Sequence, residues 1–150
     1  MKIVSGGQTG VDRAALDAAI SLGLEHGGWC PRGRLAEDGR LPDDYCLKET
    51  ESPDYRVRTE LNVLDSDATL ILYRGWLSGG TELTYRLAQE HQRPCMTIDL
   101  DWKPDPARAA DWLRSQGVGV LNVAGPRESQ SPSITALARR FVVEMLKTLQ

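Results

Sequence analysis

The sequence predicts an α/β fold: a three-layer, parallel five-stranded sheet with helices on both faces, built as one ligand-binding domain over residues 1–150. Three observations predict it. Strand-like apolar runs alternate with amphipathic helical patterns along the chain, which calls for parallel strands joined by right-handed crossovers. Three of the strand-like runs end in a glycine-containing loop that opens the next element. The length of 150 residues, with 41% hydrophobic and 26% charged residues, suits a single globule with a sizeable core.

The elements run in order. Residues 2–5 read as a short buried strand that turns at Gly6, Gly7 and Gly10. Val11, Ala15, Ala18, Ala19 and Leu22 recur at helical spacing, and Gly23 stands where a C-terminal cap belongs. Gly27-Gly28-Trp29-Cys30 occupies the place of a second strand, although glycines weaken a strand. Residues 31–52 carry Pro31, Gly33, Gly39 and Pro42 and have no clear period; loops of that length in a compact domain are functional or disordered. Ser52-Pro53 gives a helix-start signal, with Val57, Leu61 and Leu64 on the buried face. A third strand is expected at 68–73, then a helical run from Leu83 to Gln92, and a fourth strand at 94–98. Asp105-Pro106 starts the next helix, residues 118–123 form the fifth strand, and Ser131-Pro132 precedes a final helix. That helix has eight apolar positions: Ile134, Leu137, Ala138, Phe141, Val142, Met145, Leu146 and Leu149.

Charge and cysteine usage narrow the function classes. The net charge is −3, which offers no overall nucleic-acid footprint. Arginines nonetheless collect near the glycine loops and in the segment between the first two: Arg13, Arg32, Arg34, Arg40, Arg56, Arg58 and Arg127. The three cysteines, Cys30, Cys46 and Cys95, are odd in number and lack a Cys-x-x-Cys pair, so neither a disulfide framework nor a zinc site is expected. His26 and His91 have no partners that would make a metal site. No apolar run reaches membrane length and no signal segment is apparent, so a cytoplasmic protein without nucleic-acid or membrane partners is expected.

The glycine loops carry the chemistry. Ser78-Gly79-Gly80-Thr81-Glu82-Leu83-Thr84 places bare backbone and a hydroxyl at a helix N-terminus, where about half a unit of positive charge favours an anion. Gly6-Gly7-Gln8-Thr9-Gly10 comes after the first strand, and Gly125-Pro126-Arg127-Glu128-Ser129 after the fifth. The first loop has neither the dinucleotide fingerprint nor a P-loop Gly-Lys-Ser/Thr. Asp12 suits a cap, whereas Arg13 either reaches a ligand anion or serves the surface. Trp76 either stacks on a flat ligand ring or closes its loop, and Trp29 is a second candidate for the ring. Glu82 complements the helix dipole. In the long segment, Arg32 and Arg34 are placed on a rim or lid over the site. No metal site of the protein's own is expected.

Four stretches carry a resemblance. Ser5 to Ala19, Gly28 to Gly39, Ser78 to Thr84 and Asn122 to Ser129 resemble the molybdenum-cofactor carrier proteins. These look like a circularly permuted branch of the SLOG superfamily, which includes the LOG-type, lysine decarboxylase-like phosphoribohydrolases. The resemblance implies a Rossmann-like sheet and a phosphorylated ligand, either the molybdenum cofactor or a nucleotide. The hydrolases have a catalytic arginine nine positions before the Asp-Ala of the central strand, and Arg58 keeps that spacing to Asp67-Ala68. Their glutamate falls on Thr84 here, so it is absent unless Glu82 replaces it from a direction about 160° away, given ~100° per residue. The leading expectation is therefore a binding protein. The alternatives are a nucleotide or nucleotide-sugar enzyme using Arg58 with Glu82, Asp38, Asp43 or Asp44, and a nucleotide-sensing subunit without catalysis.

Three glycine loops share one ligand only if their strands are neighbours, and adjacent strands lie ~4.8 Å apart. The permutation puts the last strand where the hydrolase fold has its first. The expected strand order is therefore 2-1-5-3-4, with residues 118–123 at the centre. The wide apolar stripe of the final helix and the way relatives pair through helices make a homo-oligomer the expectation.

Overall fold

A computed structural model describing residues 1–150 contains one five-stranded sheet: β1 (Lys2–Val4), β2 (Glu25–Gly27), β3 (Ala68–Tyr73), β4 (Cys95–Asp99) and β5 (Val120–Ala124). All pairs are parallel and the order is β2-β1-β5-β3-β4, which is the order expected from the sequence. Ile3 faces Leu121 across one ladder and Leu70 faces Val123 across the other, so β5 is hydrogen-bonded on both edges. Five helices alternate with the strands: α1 (Val11–Ser21), α2 (Tyr55–Leu64), α3 (Gly79–Glu90), α4 (Pro106–Ser115) and α5 (Ile134–Leu149). None is long and apolar enough to cross a membrane.

The two faces differ in chemistry. On one side α1, α4 and α5 pack on Ile3, Leu70, Leu72, Leu121 and Val123, forming the main core. The apolar stripe of α5 is spent here: Ile134, Ala138, Phe141, Val142, Met145 and Leu146 are all buried within the chain. The stripe therefore leaves no argument for self-association, contrary to its reading from the sequence. On the other side α2 packs on α3 over a small apolar cluster of Val63, Leu87 and Ala88. Thr69 and Asn122 lie buried and bonded to each other, at 3.3 Å, in the strands of this sheet.

Several element ends differ from expectation for local reasons. The second strand stops at Gly27, because Gly28 turns at φ +122 and its Cα lies against Ser5, leaving no room for a Cβ, which would meet the Ser5 carbonyl oxygen at 2.3 Å. Trp29–Cys30 instead pairs with Lys48–Glu49 in a separate short ribbon. The helix after Ser52-Pro53 starts later, with Asp54 capping the Arg56 amide at 2.9 Å. Ser131-Pro132 likewise does not cap α5. Ser133 takes φ +74 without a side-chain cap, and Glu128 reaches in to accept from the Ser133 and Thr135 amides at 2.6 and 3.0 Å.

The segment 31–50 is ordered from within. Arg34 is buried and spreads its guanidinium over the carbonyls of Leu41, Pro42, Tyr45 and Leu47 at 2.8–3.4 Å. Cys30, Leu41 and Leu47 form a satellite core on Leu16 of α1. Arg34 is thus a strut of the loop and not part of a rim.

Candidate functional site

A cleft of about 210 Å³ opens at the carboxyl ends of β1, β5 and β3, between the first turns of α2 and α3. Gln8 from the first loop, Gly80 and Thr81 from the second, and Gly125 and Arg127 from the third all line it, as does Arg58. The three glycine loops therefore meet at one place, as an open parallel sheet arranges when strands with such loops are neighbours. Loops one and three are also tied together. The Val11 amide donates to the Pro126 carbonyl at 3.3 Å, and the Glu128 amide to Thr9 Oγ1 at 3.3 Å. Gly10 and Pro126 thus form the seam beside the cleft.

Arg58 is the centre of the charge. Its side chain is 14% exposed and lies flat on Gly6, where a Cβ would come within 1.9 Å of Nη1. Nη1 donates to Asp12 Oδ2 at 3.3 Å, and the guanidinium sits 5.5 Å from the ring centroid of Tyr55. Its Nε is buried without an acceptor, a state that costs about 1–3 kcal/mol. Asp12, at 3% exposure, also accepts from the Gln8 amide at 3.3 Å. Burial pushes its carboxyl above the ordinary value, and the neighbouring Arg58 charge offsets part of that rise.

At α3 the helix starts at the glycine pair itself, with Ser78 as its N-terminal boundary. The amides of Thr81 and Glu82 bond to the Ser78 carbonyl, while those of Gly79 and Gly80 have no acceptor in the chain. Thr84 Oγ1 donates to the Gly80 carbonyl at 2.9 Å. The corresponding end of α5 differs, because Glu128 already fills it, and its bonds to Thr135 and Ser133 hold its carboxyl below the usual range.

Other residues singled out in the sequence lie elsewhere. Arg13 forks onto Asp38 at 2.9 and 3.1 Å and bonds the Gly7 carbonyl, so it faces the long segment and not the cleft. Trp76 is 77% exposed and does not line the cleft. Trp29 donates its indole N–H to Asp65 at 2.7 Å, outside the cleft. Glu82 is exposed on the outer side of α3, and Arg32 stands beside Glu49 and Glu51. Asp43 pairs with Arg40, and Asp44 is exposed. The tip of the long segment reaches the site region: Ser129 Oγ and Thr9 Oγ1 donate to Glu37 at 2.9 and 2.8 Å, which lowers that carboxyl, and the Glu37 amide donates to Gln8 Oε1 at 2.8 Å. No residue of 31–50 lines the cleft.

Sequence reasoning missed Tyr55 and Thr59, which share the cleft-facing side of α2 with Arg58. Their spacing around Arg58, three before and one after, was the available signal. It also missed Asp12 as a lining residue, because a first-turn aspartate is ordinarily a cap. No three His, Cys, Asp or Glu side chains converge anywhere.

Comparison with known proteins agrees with this architecture. Residues 3–146 match the circularly permutated YpsA SLOG family. A crystal structure from Syntrophus aciditrophicus SB, named as a presumed molybdenum carrier protein, is 49% identical, superposes with a TM-score of 0.90, and is covered over 96% of this chain and 92% of its own. No curated protein matches significantly.

Proposed function

The chain belongs to the circularly permutated YpsA SLOG family, and from that premise we propose that it is a binding protein for a small phosphorylated ligand with a flat heterocyclic ring. A pterin cofactor of molybdenum and a mononucleotide both have that chemistry. The observation that carries the reading is the convergence of Arg58, Arg127 and the unpaired Gly80 amide on one cleft at the sheet's carboxyl edge. A phosphate there would accept charge-assisted bonds from the guanidinium and backbone bonds from the helix N-terminus. Tyr55 borders the same space and offers a ring face, the role first expected of Trp76 or Trp29. The name of the neighbour from Syntrophus aciditrophicus favours the pterin as cargo. With no cluster of metal-ligating side chains, recognition in this reading falls on the phosphate and ring.

The hydrolase alternative has less support. Thr84 stands where the resemblance puts the catalytic glutamate, and its hydroxyl is engaged with Gly80. Asp12 is the one carboxylate lining the cleft. A nucleotide sensor without catalysis has the same binding requirements and differs only in the response that binding triggers.

The deciding experiment incubates the protein with nucleotides, pterins and molybdate, then identifies what is retained by mass spectrometry. Retention of a phosphorylated ring compound, lost in Arg58→Ala, is expected. Retention of none of them would overturn the reading, and release of free base from AMP would put the hydrolase ahead.

A further inference from the structure

We propose that Asp12 competes with the ligand for Arg58. Each bound dianion would move a guanidinium hydrogen bond from Asp12 Oδ2 to a ligand oxygen, and the freed carboxylate would take one proton from water. The inference rests on the anion-site reading above and adds the residue that sets its charge selectivity. The geometry is specific. Asp12 is 3% exposed, yet it lines the cleft, and its hold on Arg58 is a single contact of 3.3 Å. The guanidinium has a buried Nε–H without an acceptor, so Asp12 does not satisfy its donors. A dianion in the cleft can therefore outbid Asp12 for the cation. A buried carboxylate beside that dianion would then face both desolvation and like-charge repulsion, and both favour its protonation.

The surroundings leave the proton no other obvious destination. On its own helix Asp12 is followed by Arg13, whose charge is engaged by Asp38. From α2 come Arg58 and Tyr55, and from the last loop Arg127. From α3 the cleft receives Thr81 and Thr84, with Glu82 exposed away from it, and from β5 the inner end receives Asn122. No histidine and no second carboxylate lines the cleft. Burial already holds the Asp12 carboxyl above its ordinary value, the direction that uptake requires.

Calorimetric titration with sulfate tests this, since sulfate stays doubly charged across the accessible pH range. Titrations in buffers of different ionisation enthalpy read proton uptake directly on the wild-type protein. Uptake approaching one proton per sulfate is expected, with affinity falling by up to about tenfold per pH unit across the window between the free and bound Asp12 titrations. Asp12→Asn keeps an acceptor for the Gln8 amide. It should abolish the uptake and bind sulfate about tenfold or more tighter above that window. Sulfate binding that is lost in Arg58→Ala, yet shows no uptake and is unchanged in Asp12→Asn, would overturn the competition and leave the anion site standing. If neither sulfate nor phosphate binds the folded protein, or if binding is indifferent to Arg58, both readings fall. Should Asp12→Asn not fold, the wild-type uptake measurement decides alone.

Discussion

Arg58 and Gly6 give two independent ways to disturb the same contact. Arg58→Ala should weaken a phosphorylated ligand at least about tenfold, or ~1.4 kcal/mol, while the chain still melts cooperatively. An unchanged titration would remove Arg58 from the site. Gly6→Ala keeps the arginine but places a methyl where its Nη1 lies, 1.9 Å away. The obstructed atom is the end of a flexible side chain, so the fold should survive and binding should fall as in Arg58→Ala. Normal affinity in Gly6→Ala would mean the arginine works from another position. Asp12 carries a stability prediction as well. Desolvation is the larger influence on it and raises the carboxyl above 3.8, so the folded state holds the proton more tightly than the unfolded state does. The Asp12 contribution to stability is then fully present in acid and is lost as pH rises through the folded-state value. Asp12→Asn should accordingly raise the thermal midpoint at neutral pH and gain nothing below 3.8, a comparison that calorimetry at the two pH values makes directly. Arg58 was legible from its spacing to Asp67, whereas Tyr55 was not, because an aromatic at a helix start ordinarily reads as surface or staple. Arg34 misled for a related reason: an arginine in a polar loop reads as exposed, and only the fold shows four carbonyls gathered around it.

At the level of elements, the helix starts divide by what fills them. The first turn of α5 is held by Glu128 from six residues before Ile134, through two amides and the Thr135 hydroxyl. Glu128→Ala should cost roughly 1 kcal/mol in a denaturant melt at neutral pH, the usual worth of a lost cap. The difference should vanish in acid, below the lowered titration of this carboxyl, where the wild type loses the same charge. A variant as stable as the parent at neutral pH would show that the α5 start needs no cap. This also explains the misplaced start: Ser-Pro is a good local signal, but a carboxylate brought in from the preceding loop displaced it. The second strand failed in the sequence for a different reason. Residues 25–27 carry Glu, His and Gly, with no apolar alternation to mark them, and the more strand-like Trp29-Cys30 lies beyond the Gly28 turn. Long apolar elements such as β3 and α5 were legible because burial on both faces, or along one helical stripe, leaves a period that polar edge strands lack.

For the whole molecule, the strand order was not readable from periodicity. It came from the requirement that three loops share one ligand together with the resemblance to a permuted family, and the sheet bears it out. Oligomeric state had a weaker basis, since the α5 stripe faces α1 and α4. The most exposed of the large apolar groups are instead Trp76 and Trp102, 77% and 83% exposed on the loops after β3 and β4. Light scattering at micromolar concentration is expected to show a pair of chains only if that surface is used, so Trp76→Ser with Trp102→Ser should return any dimer to monomer. The central position of β5 has one more consequence. On a ribosome the β2-β1 and β3-β4 pairs emerge first, each with an edge that waits for the same missing strand. Residues 120–124 are the last of the five strands to be made, so the nascent chain should remain open to protease until they emerge and then close in one late step.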